Sequence, residues 1–243
     1  MIATSPDLSR LPKRSIAARI AGSRPFWDFI MGPSYNKRVM KIGREYYSFL
    51  VDMLLDKNEI PPRARVLDVG SGPGLLAMAL AREHPDAVII GVDHSSAQVR
   101  AASSMLSSSQ LDNCSFRVGN AVDLPFESDS FDIAVSTFSI SCWPDMRKGL
   151  EEIRRVLVGG GEAFLIDADS GSTQEEVRLF TQGYAAGGAC RSLHEWFTRR
   201  FVFGRAVAIT HRKAEELARD AGFNSIAAEK KPGLPFFQLR LRK

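Results

Sequence analysis

A doubly wound α/β fold built on a mostly parallel sheet is what this sequence predicts, and three observations carry the prediction. Short apolar runs of strand character alternate with helical stretches across short links, from Val66–Val69 and Ala87–Val92 through to the fifth run at Glu162–Asp167. The first run carries Asp68 and breaks into Gly70-Ser71-Gly72-Pro73-Gly74, with glycine at every second position. No side chain then keeps a ligand away from the backbone. The loop opens directly into Leu75–Ala81, which reads as a helix, so unpaired helix N–H groups face that ligand.

The remaining elements follow in order. Pro6, Pro12 and Pro25 break up residues 1–25. Lys37 to Leu55 is helix-like, with Tyr46, Tyr47, Phe49, Leu50, Met53 and Leu54 offering an apolar face, and Pro61-Pro62 ends this cap. Ser95-x-x-Gln98 is a capping-box signature for the second helix of the core. Leu150, Ile153 and Leu157 form a helical stripe that Gly159-Gly160-Gly161 is expected to stop, leaving Glu162 to Asp167 as the fifth strand. Residues 170–209 form an aromatic-rich insertion. Thr210 then caps a helix ending at Gly222, and two short strands finish the sheet. The chain thus divides into a basic arm and helical cap (1–62), a ligand-binding core (63–169), a lid (170–209) and a C-terminal helix with the last strands (210–243).

With 243 residues, 44% hydrophobic and 25% charged, the chain suits one well-buried domain with an insertion. No apolar run approaches the ~20 residues of a membrane span. Cys114, Cys142 and Cys190 are odd in number and far apart, which indicates neither a disulfide framework nor a metal motif and favours a cytoplasmic location. Residues 1–25 lack the apolar region of a secretory signal, while a mitochondrial presequence stays open on composition. Residues 1–44 hold nine Lys/Arg against Asp7 and Asp28, a net +7 that leaves the rest at −3. Such an arm attracts nucleic acid, acidic lipid headgroups or an anionic substrate, or lies against the acidic body.

The loop spacing argues against a dinucleotide. Gly70 and Gly72 fit Gly-x-Gly-x-x-Gly, but the third glycine position is Leu75. Asp93 ends the second strand, where a carboxylate can accept both hydroxyls of a ribose. A nucleoside suits the loop better than a pyrophosphate.

At VLDVGSGPG (66–74), GVDHS (91–95), GNAVDLPFESDSFDIAVSTFS (119–139) and LEEIRRVLVGGGEAFLID (150–167) the chain resembles the class I S-adenosylmethionine-dependent methyltransferases, above all the small-molecule branch of ubiquinone/menaquinone biosynthesis C-methyltransferases. The resemblance covers residues 63–169 and, less fully, the last thirty or so. It implies a seven-stranded, mostly parallel Rossmann-like sheet, with S-adenosyl-L-methionine as cofactor and S-adenosyl-L-homocysteine as product. Gly70, Ser71, Gly72, Pro73 and Gly74 would wrap the methionine end, and Asp68 would reach its ammonium group. Asp93 would hold the ribose and His94 would pack beside the adenine, where many relatives are aliphatic. Asn120 and Ala121 would read the adenine, and Thr137 would stand near the methionine end.

Methyl transfer needs an oriented acceptor and a dry site more than a catalytic motif. None is evident. Ser136 to Pro144 lacks both the tetrapeptide of exocyclic-amine methylation and the Pro-Cys pair of cytosine C5 chemistry, and Asp167 with Asp169 makes no magnesium site. Tyr35 and His194 are the candidates for a general base or orienting group. Trp143, Tyr184 and Trp196 are the candidates for touching substrate, within an aromatic set that fits a flat or hydrophobic metabolite. The acceptor atom stays open among carbon, oxygen, nitrogen and sulfur. A monomer or homodimer is expected, with peripheral membrane contact open and nucleic acid disfavoured. An RNA or protein methyltransferase using the basic arm, or a non-catalytic S-adenosylmethionine binder, are the competing readings.

Overall fold

In the computed structural model, residues 23–31, 36, 44–55, 60–184 and 209–243 are described. A π-helical turn (Phe26–Met31) and α1 (Arg44–Leu55) precede β1 (Arg65–Val69). Then follow α2 (Leu75–Glu83), β2 (Val88–Asp93), α3 (Ser96–Ser107), β3 (Cys114–Val118) and β4 (Phe131–Thr137). A 3-10 turn (Ile140–Cys142) leads to α4 (Met146–Val156), β5 (Leu157–Ala168) and α5 (Gln174–Tyr184). The chain ends with α6 (His211–Asp220), β6 (Ser225–Lys230) and β7 (Phe236–Arg242).

The seven strands run in the order β3-β2-β1-β4-β5-β7-β6. All pairings are parallel except those of β7, which is antiparallel to both β5 and β6. The order reverses direction between β1 and β4, and at such a switch point the loops diverge and open a crevice at the carboxyl edge.

Alternation along the central strands divides the core. Ile133, Val135, Phe164 and Ile166 face a cluster with Leu50 and Leu54 of α1 and Leu76 and Leu80 of α2. Ala134, Ala163 and Leu165 face the other way, onto Leu150 and Ile153 of α4 and Ala214 and Ala218 of α6. This near-continuous apolar character is what a sheet covered on both faces requires. The Gln238 side-chain amide donates to the Leu54 carbonyl (2.7 Å), tying α1 to β7.

Helix ends follow the cap chemistry. Ser95 Oγ accepts from Gln98 N–H, Asp145 from Lys148 N–H and Thr210 from Lys213 N–H. One boundary differs from the sequence reading. Helix α4 stops at Val156 and β5 already begins at Leu157, ahead of the three glycines. The carbonyls of Arg155 and Val156 are taken by the N–H groups of Asp129 and Ser130, and Leu157 pairs with Phe131. A distant turn therefore ends the helix, and the glycines serve a register shift between Phe131 and Ile133.

Phe237 is fully buried in the α4/α6 cluster. Phe237→Ala should cost about 3–5 kcal/mol of unfolding free energy in urea titration, with an unchanged slope.

Candidate functional site

The site forms where β1 and β2 end side by side. The N–H groups of Gly70 and Ser71 both donate to the Val92 carbonyl (2.8 and 3.0 Å), and Gly72 N–H donates to Asp93 Oδ2 (2.9 Å). Bending this sharply needs a left-handed residue at Gly70 (φ 77°), and a Cβ there would overlap the Ser139 side chain. Gly74 (φ 82°) leads into α2, and a Cβ there would strike the Phe116 ring.

Asp93 is buried, with each carboxylate oxygen holding one backbone donor: Oδ2 from Gly72 and Oδ1 from Ser95 (2.8 Å). Both oxygens keep a lone pair for a ligand. Burial raises its carboxyl above the ordinary value against those donors. Asp68, 1% exposed, is pushed up to about 8, first by burial and then by the nearby Asp93 charge. Its Oδ2 is buried and has no hydrogen-bond partner.

A crevice lined by Gly70, Gly72, Asp93, His94, Asn120, Ala121, Thr137 and Trp143 connects the strand ends. The structure thus brings together most of the residues singled out from the sequence. Asp68, Ser71, Pro73 and Gly74 are buried in the strand and loop that lead to it and are not among its lining residues. Asn120 is exposed, and its Oδ1 accepts from Val122 N–H (3.3 Å), shaping the turn that presents buried Ala121. Tyr35, His194 and Trp196 lie outside the described residues, and Tyr184 closes α5 without a described side chain.

Three further features were not read from the sequence, and a fourth, Trp27, belongs to the aromatic set of the N-terminal cap and lid that was. Trp27 of the π-helical turn lines the crevice. Its neighbour Asp28 accepts from Ser95 Oγ and from Ala97 N–H (3.3 Å), docking this segment on the start of α3. Burial works against the Asp28 carboxylate, but these donors and Arg24 hold it below the ordinary value. Ser139 Oγ donates to the Val69 carbonyl (3.0 Å), accepts from Trp143 Nε1 (3.2 Å) and meets Ser136 Oγ at 2.6 Å. Gln98 is buried at the crevice with Oε1 unpartnered. Only Gln98 had a local signal, its place in the capping box.

Asp167 has a structural task. It accepts from Ser141 N–H (2.9 Å) and Ser141 Oγ (3.2 Å), fixing the 3-10 turn before Trp143, and burial pushes its carboxyl up to about 6. Asp169 receives Gly171 N–H (2.7 Å) and faces His211 Nδ1 at 3.1 Å. Among the described residues, no group of three His, Cys, Asp or Glu is disposed to hold a metal ion.

Because Asp68 is raised from 3.8 to about 8, the folded chain keeps a proton that the unfolded chain loses near pH ~4. Its contribution to stability is present below pH ~4 and is lost as pH rises through about 8. Asp68→Asn, which cannot ionise, should raise Tm above wild type at pH 9 and leave it little changed at pH 5, read by calorimetry.

Comparisons with known proteins agree with this geometry. A structure of a putative S-adenosyl-L-methionine-dependent methyltransferase from Methanococcus maripaludis superposes with a TM-score of 0.67 at 22% identity, covering 86% of this chain and 91% of that one, and shows the same fold. An uncharacterised methyltransferase of Bacillus subtilis, YcgJ, is 35% identical over 115 residues, 47% of this chain and 45% of its own. The ubiquinone/menaquinone biosynthesis C-methyltransferase UbiE of Geotalea daltonii is 32% identical over 147 residues, 59% of this chain and 58% of its own. The chain therefore spans about half the length of these curated relatives. The family model described as a methyltransferase domain matches residues 61–227, most of the chain, from before β1 to the middle of β6, and the chain belongs to that family.

Proposed function

We propose that this chain transfers a methyl group from S-adenosyl-L-methionine to a small aromatic or hydrophobic metabolite. The observation that carries the reading is a set of buried, unpartnered polar atoms at the ends of β1 and β2: His94 Nε2 and Gln98 Oε1 on residues that line the crevice, and Asp68 Oδ2 and Ser71 Oγ on the strand and loop that lead into it. Buried polar groups without partners cost about 1–3 kcal/mol each, so several at one place point to a ligand that completes them.

The residues fit a zwitterionic nucleoside. Asp68 is the acceptor for an ammonium group, and the free lone pairs of Asp93 suit two ribose hydroxyls. His94, Asn120 and Ala121 line the nucleoside end, and Gly70, Thr137 and Trp143 line the other. When bound, S-adenosyl-L-methionine supplies a methyl group already activated on a sulfonium. The chain's own residues bind, orient and keep water out. Ser139 aims Trp143 by accepting its indole N–H, so an aromatic wall stands fixed beside the methionine end. Trp27 adds a second aromatic side chain to the crevice lining. The acceptor class rests on these aromatic walls and on relatives named as quinone or hydroquinone methyltransferases, including a 2-methyl-6-phytyl-1,4-hydroquinone methyltransferase of Arabidopsis thaliana, 37% identical over 105 residues. An in-line transfer of this kind gains mainly from positioning.

Calorimetry with S-adenosylhomocysteine against NADH tests the cofactor: micromolar binding of the sulfur nucleoside alone is expected. Asp93→Ala should weaken it by about tenfold or more, as expected for lost bonds to a charged acceptor, and an unchanged affinity would remove Asp93 from the ribose. Labelled methyl transfer to a hydroquinone panel then tests the acceptor class, and labelling of tRNA or protein instead would overturn it.

At pH 7 the Asp68 carboxyl, near 8, holds a proton that an ammonium ligand must displace. Binding should therefore release a proton at pH 7 and none at pH 9.5, read from calorimetry in buffers of different ionisation heat. Asp68→Asn should abolish the release and weaken binding.

A further inference from the structure

We propose that His211 takes the proton of the methyl acceptor and that Asp169 is the residue that positions it. The inference deepens the reading above and rests on its acceptor class, taken as a hydroquinone. Asp169 is 1% exposed, and each of its carboxylate oxygens has a separate duty: Oδ1 accepts from Gly171 N–H (2.7 Å) and Oδ2 meets His211 Nδ1 at 3.1 Å. A carboxylate can only accept, so in the neutral imidazole Nδ1 carries the proton and Nε2 keeps a lone pair. The histidine side chain is 31% exposed. A buried carboxylate thus orients an accessible ring, which is the arrangement a general base requires.

The pair stands on the edge of the sheet where an acceptor arrives. Asp169 follows the carboxyl end of β5, the edge at which β1, β2 and β4 deliver the crevice residues. Two residues earlier, Asp167 holds the 3-10 turn that leads to Trp143, and Trp143 and Ile209 pack into one apolar cluster. Ser170 N–H donates to the Ile209 carbonyl (3.0 Å) and Asp169 bridges to Ile209, so both ends of the insertion are fastened beside the pair. Neither Asp169 nor His211 lines the nucleoside crevice, which leaves them to the acceptor. In a hydroquinone, loss of a hydroxyl proton raises electron density on ring carbons as well as on oxygen, so the base need not stand beside the sulfur. The carbon–sulfur bond breaks with its electron pair left on sulfur, and the acceptor forms the new bond to the methyl carbon. One proton leaves: directly from the hydroxyl to Nε2 for an oxygen acceptor, or as the ring hydrogen for a carbon acceptor, with the hydroxyl proton returned.

The experiment compares wild type with His211→Asn and Asp169→Asn. His211→Asn keeps a side-chain N–H for Asp169 and removes Nε2. Asp169→Asn keeps an oxygen for Gly171 N–H and turns its NH2 toward Nδ1, which drives the ring proton onto Nε2. Both should bind S-adenosylhomocysteine like wild type in calorimetry. With hydroquinone, kcat should fall about a hundredfold in each while KM changes little. Across hydroquinones bearing chloro and nitro groups, which ionise ever more readily, that loss should shrink toward none. Nitrogen-15 NMR, at a pH where the ring is neutral, should place the proton of the resonances that His211→Asn deletes on Nδ1 in wild type and on Nε2 in Asp169→Asn. A loss equal for every acceptor, wild-type turnover in His211→Asn, or a ring proton already on Nε2 in wild type overturns the inference alone. Should the wild type bind S-adenosylhomocysteine yet methylate none of these phenols, the acceptor reading fails and takes the inference with it.

Discussion

The whole site hangs on one backbone carbonyl. Val92 O receives two N–H groups from the turn after β1, and one residue later Asp93 receives a third through its side chain. Three consecutive residues of the loop are thereby fastened to the neighbouring strand, with no side chain of the loop involved. The turn can be held this way only because Gly70 takes a left-handed conformation and leaves room for Ser139. Ser139 in turn closes a second tie, from the end of β4 to the Val69 carbonyl. The three strands at the switch point are locked together at their tips, and the crevice is the space their loops cannot fill.

Asp93 is legible in sequence and yet does more than sequence assigns to it. A carboxylate at a strand tip reads as a ligand acceptor. In the structure it also supports the loop and the start of α3, with one lone pair of each oxygen committed to backbone. Such double use fixes the orientation of the free lone pairs before any ligand arrives, which is the structural meaning of preorganisation. Asp68 is the opposite case. It is strongly buried and short of donors, so its proton is retained up to a pH of about 8.

What the sequence made legible was local: the strand-loop-helix at 66–81, the Ser95 and Thr210 caps, and the acidic tip of β2. The seven-stranded, mostly parallel sheet came from the family resemblance, and the structure bears it out, adding the strand order and the antiparallel β7. The missed features need contacts between distant segments. Helical periodicity runs through Leu157 without a break, and only the turn at Asp129–Ser130 ends that helix. The lid start shows the reverse failure. Thr173-x-x-Glu176 is a full capping box, with Thr173 Oγ1 accepting from Glu176 N–H and the Glu176 carboxylate accepting from Thr173 N–H, and its signature stood in the sequence unread. Ser139 and Asp28 had no pattern to mark their part, and the capping box that marks Gln98 says nothing of the crevice. Their roles exist only once β1, β4 and the N-terminal segment are side by side.

That N-terminal segment is held by a short chain of polar atoms that also reaches the ligand groups. Asp28 accepts from Ser95, Ser95 accepts from Gln98 N–H, and Ser95 N–H donates to Asp93. Withdrawing Asp28 would leave the Ser95 hydroxyl and the Ala97 N–H to water at a helix start, and would carry Trp27 out of the crevice. Docking of the segment and shape of the crevice beside Asp93 are therefore coupled through shared hydrogen bonds. A negative charge at the N-terminus of α3 is favoured by the helix dipole, while the neighbouring Asp93 opposes it. The helix, Arg24 and the two hydrogen bonds together outweigh that repulsion, since the Asp28 carboxyl stays below its ordinary value despite burial. The acidic tip of β2 and the acidic clasp of the N-terminal segment are compatible because one serine and one helix end separate and serve both.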